Sequence, residues 1–198
     1  MENIKTIIFD FDGTLADCKE LHQDGFRAAI ALVCPLAVFT DEEVEGRPTR
    51  EKIRILHAKG YEFNGDKLNQ IKQSHTQAHL HEYIIYNVEL CAEMHRLEDA
   101  GYQLAVASNA TELFVHASLD LLQIKDLFVK INTATDFPAK PDTTTFLDIV
   151  EYTNSTPETT LIFEDSPVGI QCALASGCVV ISVINSADTL SKLQHIRK

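Results

Sequence analysis

No apolar run in this sequence approaches the roughly 20 residues that cross a bilayer. Residues 28–39 (AAIALVCPLAVF) are too short and are interrupted by Pro35. The opening residues, MENIKTIIFDFDG, lack the charged, apolar and small-residue order of a secretory signal, and their apolar run stops at Asp10. Among the five cysteines (Cys18, Cys34, Cys91, Cys172 and Cys178) there is no CxxC and no metal-like spacing. They read as reduced, small, buried side chains, and the chain as cytoplasmic. Positive charge is scarce: 17 basic against 29 acidic residues give a net charge of −12. That argues against nucleic acid or a membrane as a partner. An anionic small molecule remains open, because local cations decide that. Repeats and low-complexity segments are also missing.

What is present is ordinary for a globular protein. With 198 residues, 45% hydrophobic and 23% charged, the chain is neither disordered, collagen-like nor a coiled coil. Its length suits one domain, or one domain with a modest insert, and is enough to bury a core without disulfides. The expected state is a monomer or weak homodimer.

Residues 4–9 (IKTIIF) read as a strand buried on both faces. Residues 17–33 read as a helix, with Leu21, Gly25/Phe26, Ala29, Ile30 and Val33 near 3.6-residue spacing. Asp41 reads as the N-cap of a helix near 41–59, which Gly46 and Pro48 divide and Gly60 ends. Residues 65–84 form a third, unusually polar helical stretch. From Val88 the character changes. An amphipathic helix closed by Gly101 leads into a strand at 103–107, a helix at 111–122, a strand at 128–132 and a helix at 143–153. A strand at 160–163, a helix at 167–176 closed by Gly177, a strand at 178–183 and a final helix come next. Strands alternating with helices predict an α/β fold: a Rossmann-like parallel sheet with helices on both faces. The expected division is a core of residues 1–16 and 87–198 with an inserted helical cap of residues 17–86.

In open α/β sheets, ligands bind beyond the carboxyl ends of the strands. Asp10-Phe11-Asp12-Gly13-Thr14 comes after the first strand and Ser108-Asn109 after the second. Lys140-Pro141 comes after the strand near 130, and Glu164-Asp165-Ser166 after TLIF. Taken singly, each string fits a turn, a helix cap or a surface loop. In this order at four strand exits they converge on one edge. Asp10, Asp12, Glu164 and Asp165 would repel one another without a cation. An all-oxygen set selects a hard ion, Mg²⁺. Lys140 and the Ser108 hydroxyl add a positive charge and a hydrogen bond for a phosphoryl group, and Gly13 permits a tight turn. One carboxylate is then left to attack phosphorus, and another two residues on can pass protons.

These strings resemble the haloacid dehalogenase superfamily of phosphotransferases. FDFDGTLAD (9–17), VASNA (106–110), Lys140 in AKPDTTTF and IFEDSPVGI (162–170) match its four motifs in order, across nearly the whole chain. The insert after the first motif resembles the helical-cap branch that includes phosphoglycolate phosphatase and β-phosphoglucomutase. The resemblance implies Asp10 as nucleophile and metal ligand. It makes Asp12 the general acid/base and a metal ligand through its carbonyl, and Thr14 a support of the turn. Ser108 and Asn109 would hold phosphoryl oxygens, Lys140 would bridge nucleophile and phosphoryl group, and Glu164 and Asp165 would complete the metal site. Three departures are visible: Ile85-Tyr86-Asn87-Val88 stands where Pro-Gly is usual, Cys18 where Ser or Thr is common, and the cap is somewhat short and polar.

In that branch the cap sets specificity. Gly46-Arg47-Pro48-Thr49-Arg50 resembles its substrate loop, with Arg47 or Arg50 available to clamp an anionic group. His22 sits where relatives of β-phosphoglucomutase carry His, with an interface helix residue as its plainer reading. Lys72 is a weaker candidate. His75, His79 and His81 share a helix and read as a solvated polar face rather than a metal pair. The expected function is a Mg²⁺-dependent phosphatase acting on a small phosphorylated molecule. A sugar phosphate mutase with the same chemistry and a receiver-like module remain as alternatives.

Overall fold

The computed structural model describes residues 3–44 and 47–197. Gly46, expected to help fix the substrate loop, lies outside them. Along the chain run β1 (Thr6–Phe9), α1 (Lys19–Val33), α2 (Asp41–Val44), α3 (Thr49–Ala58), α4 (Gly65–Ala78), α5 (Leu80–Tyr83), α6 (Val88–Asp99) and β2 (Gln103–Ser108). Then come α7 (Glu112–Leu121), β3 (Phe128–Thr133), α8 (Thr144–Tyr152), β4 (Thr160–Glu164), α9 (Pro167–Ala175), β5 (Val179–Ser182) and α10 (Ser186–Leu193). The chain divides into two compact units, one of Met1–Asp17 with Ile84–Lys198 and one of Cys18–Tyr83.

The first unit is a parallel five-stranded sheet in the order β3-β2-β1-β4-β5. β1 is central, and its four residues are all buried. That is why it reads as a continuous β-branched and aromatic run rather than an alternating one. Ile8 packs with Ala105, Ile162, Phe146, Ile149, Cys172 and Ala173 in one core cluster. Phe9 stacks on Phe163 at 5.3 Å and meets Phe128 edge-on at 6.3 Å. β3 and β5 are the edge strands, and no residue of β5 is fully buried. Strand register sets the height at which the acids leave the sheet. Phe9 lies level with Val106 and with Phe163, so Asp10 and Glu164 emerge one residue later at the same height.

The second unit is helical. α1 and α4 pack closely at Gly25, where a Cβ would stand 2.7 Å from Thr76 Oγ1. Its core holds Phe26, Ala29, Ile30, Val44, Leu56 and Leu68, with the Lys52 ammonium 4.8 Å above the Phe26 ring. Four local expectations change. β1 begins at Thr6 rather than residue 4, though Lys5 still joins the ladder through bonds to Thr159 and Gln103. α1 begins at Lys19 rather than 17, with Cys18 at its N-cap. Asp41 is the first residue of α2 rather than its cap. Thr40 takes the cap position, its N–H donating to Glu43 Oε2 at 2.8 Å, while the Asp41 carboxylate is drawn to Arg27 at 2.6 Å. The stretch 65–84 is not one helix: α4 ends at Ala78, with His79 as its C-cap. Asn87 caps α6, accepting from the N–H groups of Glu89 and Leu90 at 3.0 and 3.1 Å. It thereby replaces the Pro-Gly start of the family pattern with an ordinary N-cap.

Candidate active site

The first-strand acids sit on a tight turn. Asp10 N–H donates to the Phe163 carbonyl at 2.9 Å, so it still belongs to the sheet. The chain then folds back, with Leu15 and Ala16 N–H donating to the Phe11 carbonyl at 2.9 and 3.1 Å, and Gly13 N–H to Ala16 at 2.7 Å. Gly13 has φ +88°, and a Cβ there would stand 2.2 Å from Asp165 Oδ2. Glycine is needed twice over, for the left-handed backbone and for the approach of Asp165. Phe11 is fully buried and meets Phe114 edge-on at 5.8 Å, which pins the turn to the core. Asp12 is half-buried. Thr14 is fully buried, and its hydroxyl has no hydrogen-bond partner.

Lys140 is the centre of the cluster. Its ammonium donates to Asp10 Oδ1 and to Glu164 Oε2, each at 2.6 Å. It also lies 5.0 Å above the Phe146 ring, a further site for a cation. All three residues are buried. Burial works against the ammonium, yet the two carboxylates outweigh it and hold Lys140 above the usual lysine range. Glu164 is engaged on both sides, because its Oε1 accepts from the Ser166 hydroxyl at 2.7 Å. The same Ser166 Oγ accepts from Gly169 N–H at 3.0 Å and so caps α9. At Gly169 a Cβ would lie 2.1 Å from the Glu164 carboxyl.

Asn109, expected against phosphoryl oxygens, spans the Lys140 backbone. Its Oδ1 accepts from Lys140 N–H at 2.7 Å, and its amide approaches the Lys140 carbonyl at 3.4 Å. Ser108 is buried at the end of β2, its Oγ accepting from Ala110 N–H at 3.1 Å. His22 lies in the first turn of α1 and is half-buried. Arg47 and Arg50 are exposed, and Arg47 pairs with Glu51. These three belong to the helical unit. Lys72 lies on α4.

One carboxylate oxygen each from Asp10, Glu164 and Asp165 lie within 4.8 Å of one another. Three carboxylates face one ammonium, which leaves an excess of negative charge. Burial pushes the Asp10 carboxyl up to about 7. Lys140 pulls the other way, and the charges of Glu164 and Asp165 add to the rise. Burial first, then Glu164 and Asp12, lifts Asp165 to about 6. Asp165 Oδ1 is buried without a hydrogen-bond partner. An all-oxygen donor set with surplus negative charge and an orphaned carboxylate oxygen fits a hard divalent cation.

Two contributors have no role that the sequence reveals. Ser166 has a legible signal, since Ser-Pro is a helix-start pair, but its bond back to Glu164 does not show in it. Gly169 looks like an ordinary helical glycine.

An Asp directly after the central strand β1, a lysine bridge and an acid pair at the end of β4 define an α/β phosphotransfer-type site. The family model for haloacid dehalogenase-like hydrolases matches residues 7–183, and the chain belongs to that family. It is 25% identical over 178 residues to a phosphorylated carbohydrates phosphatase of Thermotoga maritima, covering 88% of this chain and 82% of that protein. It is 28% identical over 191 residues to the protein CbbY of Rhodobacter capsulatus, covering 90% and 84%. The crystal structure of CbbY from Rhodobacter sphaeroides in complex with phosphate superposes with a TM-score of 0.75 at 23% identity, over 91% of this chain and 87% of that one. Among the described residues, no helix is long and apolar enough to cross a membrane.

Proposed function

We propose that this hydrolase is a Mg²⁺-dependent phosphatase that removes the phosphoryl group of a small phosphorylated carbohydrate through an aspartyl-phosphate on Asp10. The observation that carries the reading is the Lys140 ammonium, 2.6 Å from both Asp10 and Glu164. It keeps the Asp10 carboxylate oriented and offers positive charge where a transferred phosphoryl group would sit. The carbohydrate class rests on the relative of that name.

Asp10 and Asp165, with the carbonyl of Asp12, would hold the ion, and Glu164 stands behind them on Lys140 and Ser166. When bound, the ion neutralises charge on the phosphoryl oxygens, which is most of what a loose phosphoryl-transfer transition state requires. The free oxygen of Asp10 attacks phosphorus, and Asp12 protonates the departing alkoxide. Asp12 then takes the proton of a water that attacks phosphorus and releases Asp10. The Ser108 hydroxyl and the main-chain N–H groups of the Asp10–Thr14 turn supply hydrogen bonds to the phosphoryl oxygens. Residues Cys18–Tyr83 act as a cap, with Arg47 or Arg50 and His22 reading the rest of the substrate.

The receiver-like alternative is disfavoured by the sheet. Such modules have the strand order 2-1-3-4-5 and carry their phosphoacceptor after the third strand, whereas here the order is β3-β2-β1-β4-β5 and Asp10 directly follows the first strand. Phosphate release from p-nitrophenyl phosphate and from a panel of sugar phosphates, with Mg²⁺ and with EDTA, tests the rest. Asp10→Asn should lose turnover while melting as one folded protein. Activity that survives that substitution removes Asp10 from the nucleophile role. A phosphoryl group passed to a second hydroxyl rather than to water would instead make the enzyme a mutase.

A further inference from the structure

The end of α4 carries a second group of metal-ligating side chains, of a different kind from the acid cluster. His75 and His79 are four residues apart, so they share one helix face. Their rings lie 4.3 Å apart between centroids, with planes 33° from parallel. His79 is the C-cap of α4, its N–H donating to the His75 carbonyl at 3.1 Å. Its side-chain Nδ1 lies 2.8 Å from Glu82 Oε1 on α5. Both rings are half-buried, while His81 and Glu82 are exposed. The hydrogen bond from His79 holds the Glu82 carboxyl below the usual range, and the charges of His79, His81 and His75 act in the same direction. Of the three histidines, His79 makes the direct contact with this carboxylate. All of these residues lie within the helical unit.

We propose that His75 and His79 bind a divalent transition-metal ion of the Zn²⁺, Ni²⁺ or Cu²⁺ class through one ring nitrogen each, with Glu82 as the carboxylate that orients His79. Imidazole suits these ions, whereas Mg²⁺ prefers carboxylate, carbonyl and water oxygens. The two sites therefore sort their ions by chemistry. The Glu82 contact selects the tautomer with a proton on Nδ1 of His79. That leaves Nε2 with its lone pair as the ligand atom, the usual arrangement in which an outer carboxylate fixes a ligating histidine. An ion bonded at about 2.0–2.1 Å to two nitrogens in a tetrahedral arrangement sets them about 3.3 Å apart. A shared ion requires the two rings, 4.3 Å apart between centroids, to turn about their side-chain bonds until one nitrogen of each faces it. The backbone of α4 already holds the two rings on one face, so little further freedom is lost when the second bond forms. Water completes the coordination. The bound ion ties the last turn of α4, through His79 and Glu82, to the start of α5.

Isothermal titration of the full, untagged chain with Ni²⁺, in saturating Mg²⁺ so that the acid cluster is filled, tests the assignment. One Ni²⁺ per chain is expected. His75→Gln and His79→Gln should each abolish it, and Glu82→Gln should weaken it about tenfold. His195→Gln and Asp165→Asn should leave it unchanged, and thermal melts without metal should match the wild type. The proposal is overturned if the wild type takes up no Ni²⁺, as a merely solvated polar face would. It is equally overturned if uptake persists in the His75→Gln/His79→Gln double variant, or disappears in Asp165→Asn.

Discussion

Without divalent cations the core should lose stability as pH rises towards neutrality. Folding lifts Asp10 to about 7 and Asp165 to about 6, against 3.8 for each in an exposed chain. A carboxyl whose pKa is raised by folding keeps its proton in the native state over a window where the unfolded chain has released it. Its contribution is therefore complete below about pH 4 and is lost as pH climbs through the folded value. Across that window each pH unit costs about 1.4 kcal/mol for one such acid. Moving from pH 5 to pH 7 costs about 2–3 kcal/mol through Asp10 alone, and Asp165, which is more solvated, adds less. In a chain of this size that lowers Tm by roughly 5–10 °C. Mg²⁺ at a hundred times its Kd returns about 2.7 kcal/mol, and it should do so at pH 8 far more than at pH 5, where protons hold the same oxygens. Thermal melts in half-unit pH steps, in EDTA and in saturating Mg²⁺, measure both effects. Asp10→Asn cannot titrate at this position, so its melting temperature in EDTA should fall much less over the same range. Equal pH slopes for wild type and Asp10→Asn, or a Mg²⁺ effect independent of pH, would refute the account of why these acids are poised as they are.

Other substitutions probe how the cluster is held. Gly169→Ala puts a methyl group about 2 Å from the carboxyl of Glu164, which is 1% exposed and has no room to retreat. Turnover of p-nitrophenyl phosphate should drop by about tenfold to a hundredfold through displacement of Lys140, with a fall in Tm of several degrees. Asn109→Ala removes the acceptor of the Lys140 N–H. At about 1 kcal/mol for such a bond, Tm should fall by roughly 2–4 °C. If the side chain serves Lys140 rather than the substrate, Asn109→Asp, which keeps an acceptor there, should restore that stability. Asn109→Asp melting as low as Asn109→Ala would count against the assignment.

The legible part of the molecule is the part that chain direction decides. A run such as IKTIIF buried on both faces must be an interior strand. Parallel strands send their carboxyl ends to one edge, so Asp10, Ser108, Lys140 and Glu164 group together from strand order alone. Helix ends are less legible where a remote charge competes for the capping side chain. Asp41 is a good N-cap by type, but Arg27, 14 residues away, holds its carboxylate, and the helix start is closed instead by the Thr40 N–H donating to Glu43. The same competition explains Asn109. Next to Ser108 on a strand exit it looks like a phosphate ligand, yet its amide oxygen is taken by a main-chain N–H 31 residues downstream. Ser166 shows the limit most clearly. Its place before Pro167 announces a helix start, and it performs that duty, but the same oxygen also donates to Glu164 and thereby steadies the lysine on Asp10. A hydroxyl can donate and accept at once, so a side chain explained in full by local structure can still belong to the site. The geometry at Asp10 therefore rests on Ser166 and Gly169 as well as on the acids and the lysine that announce the site.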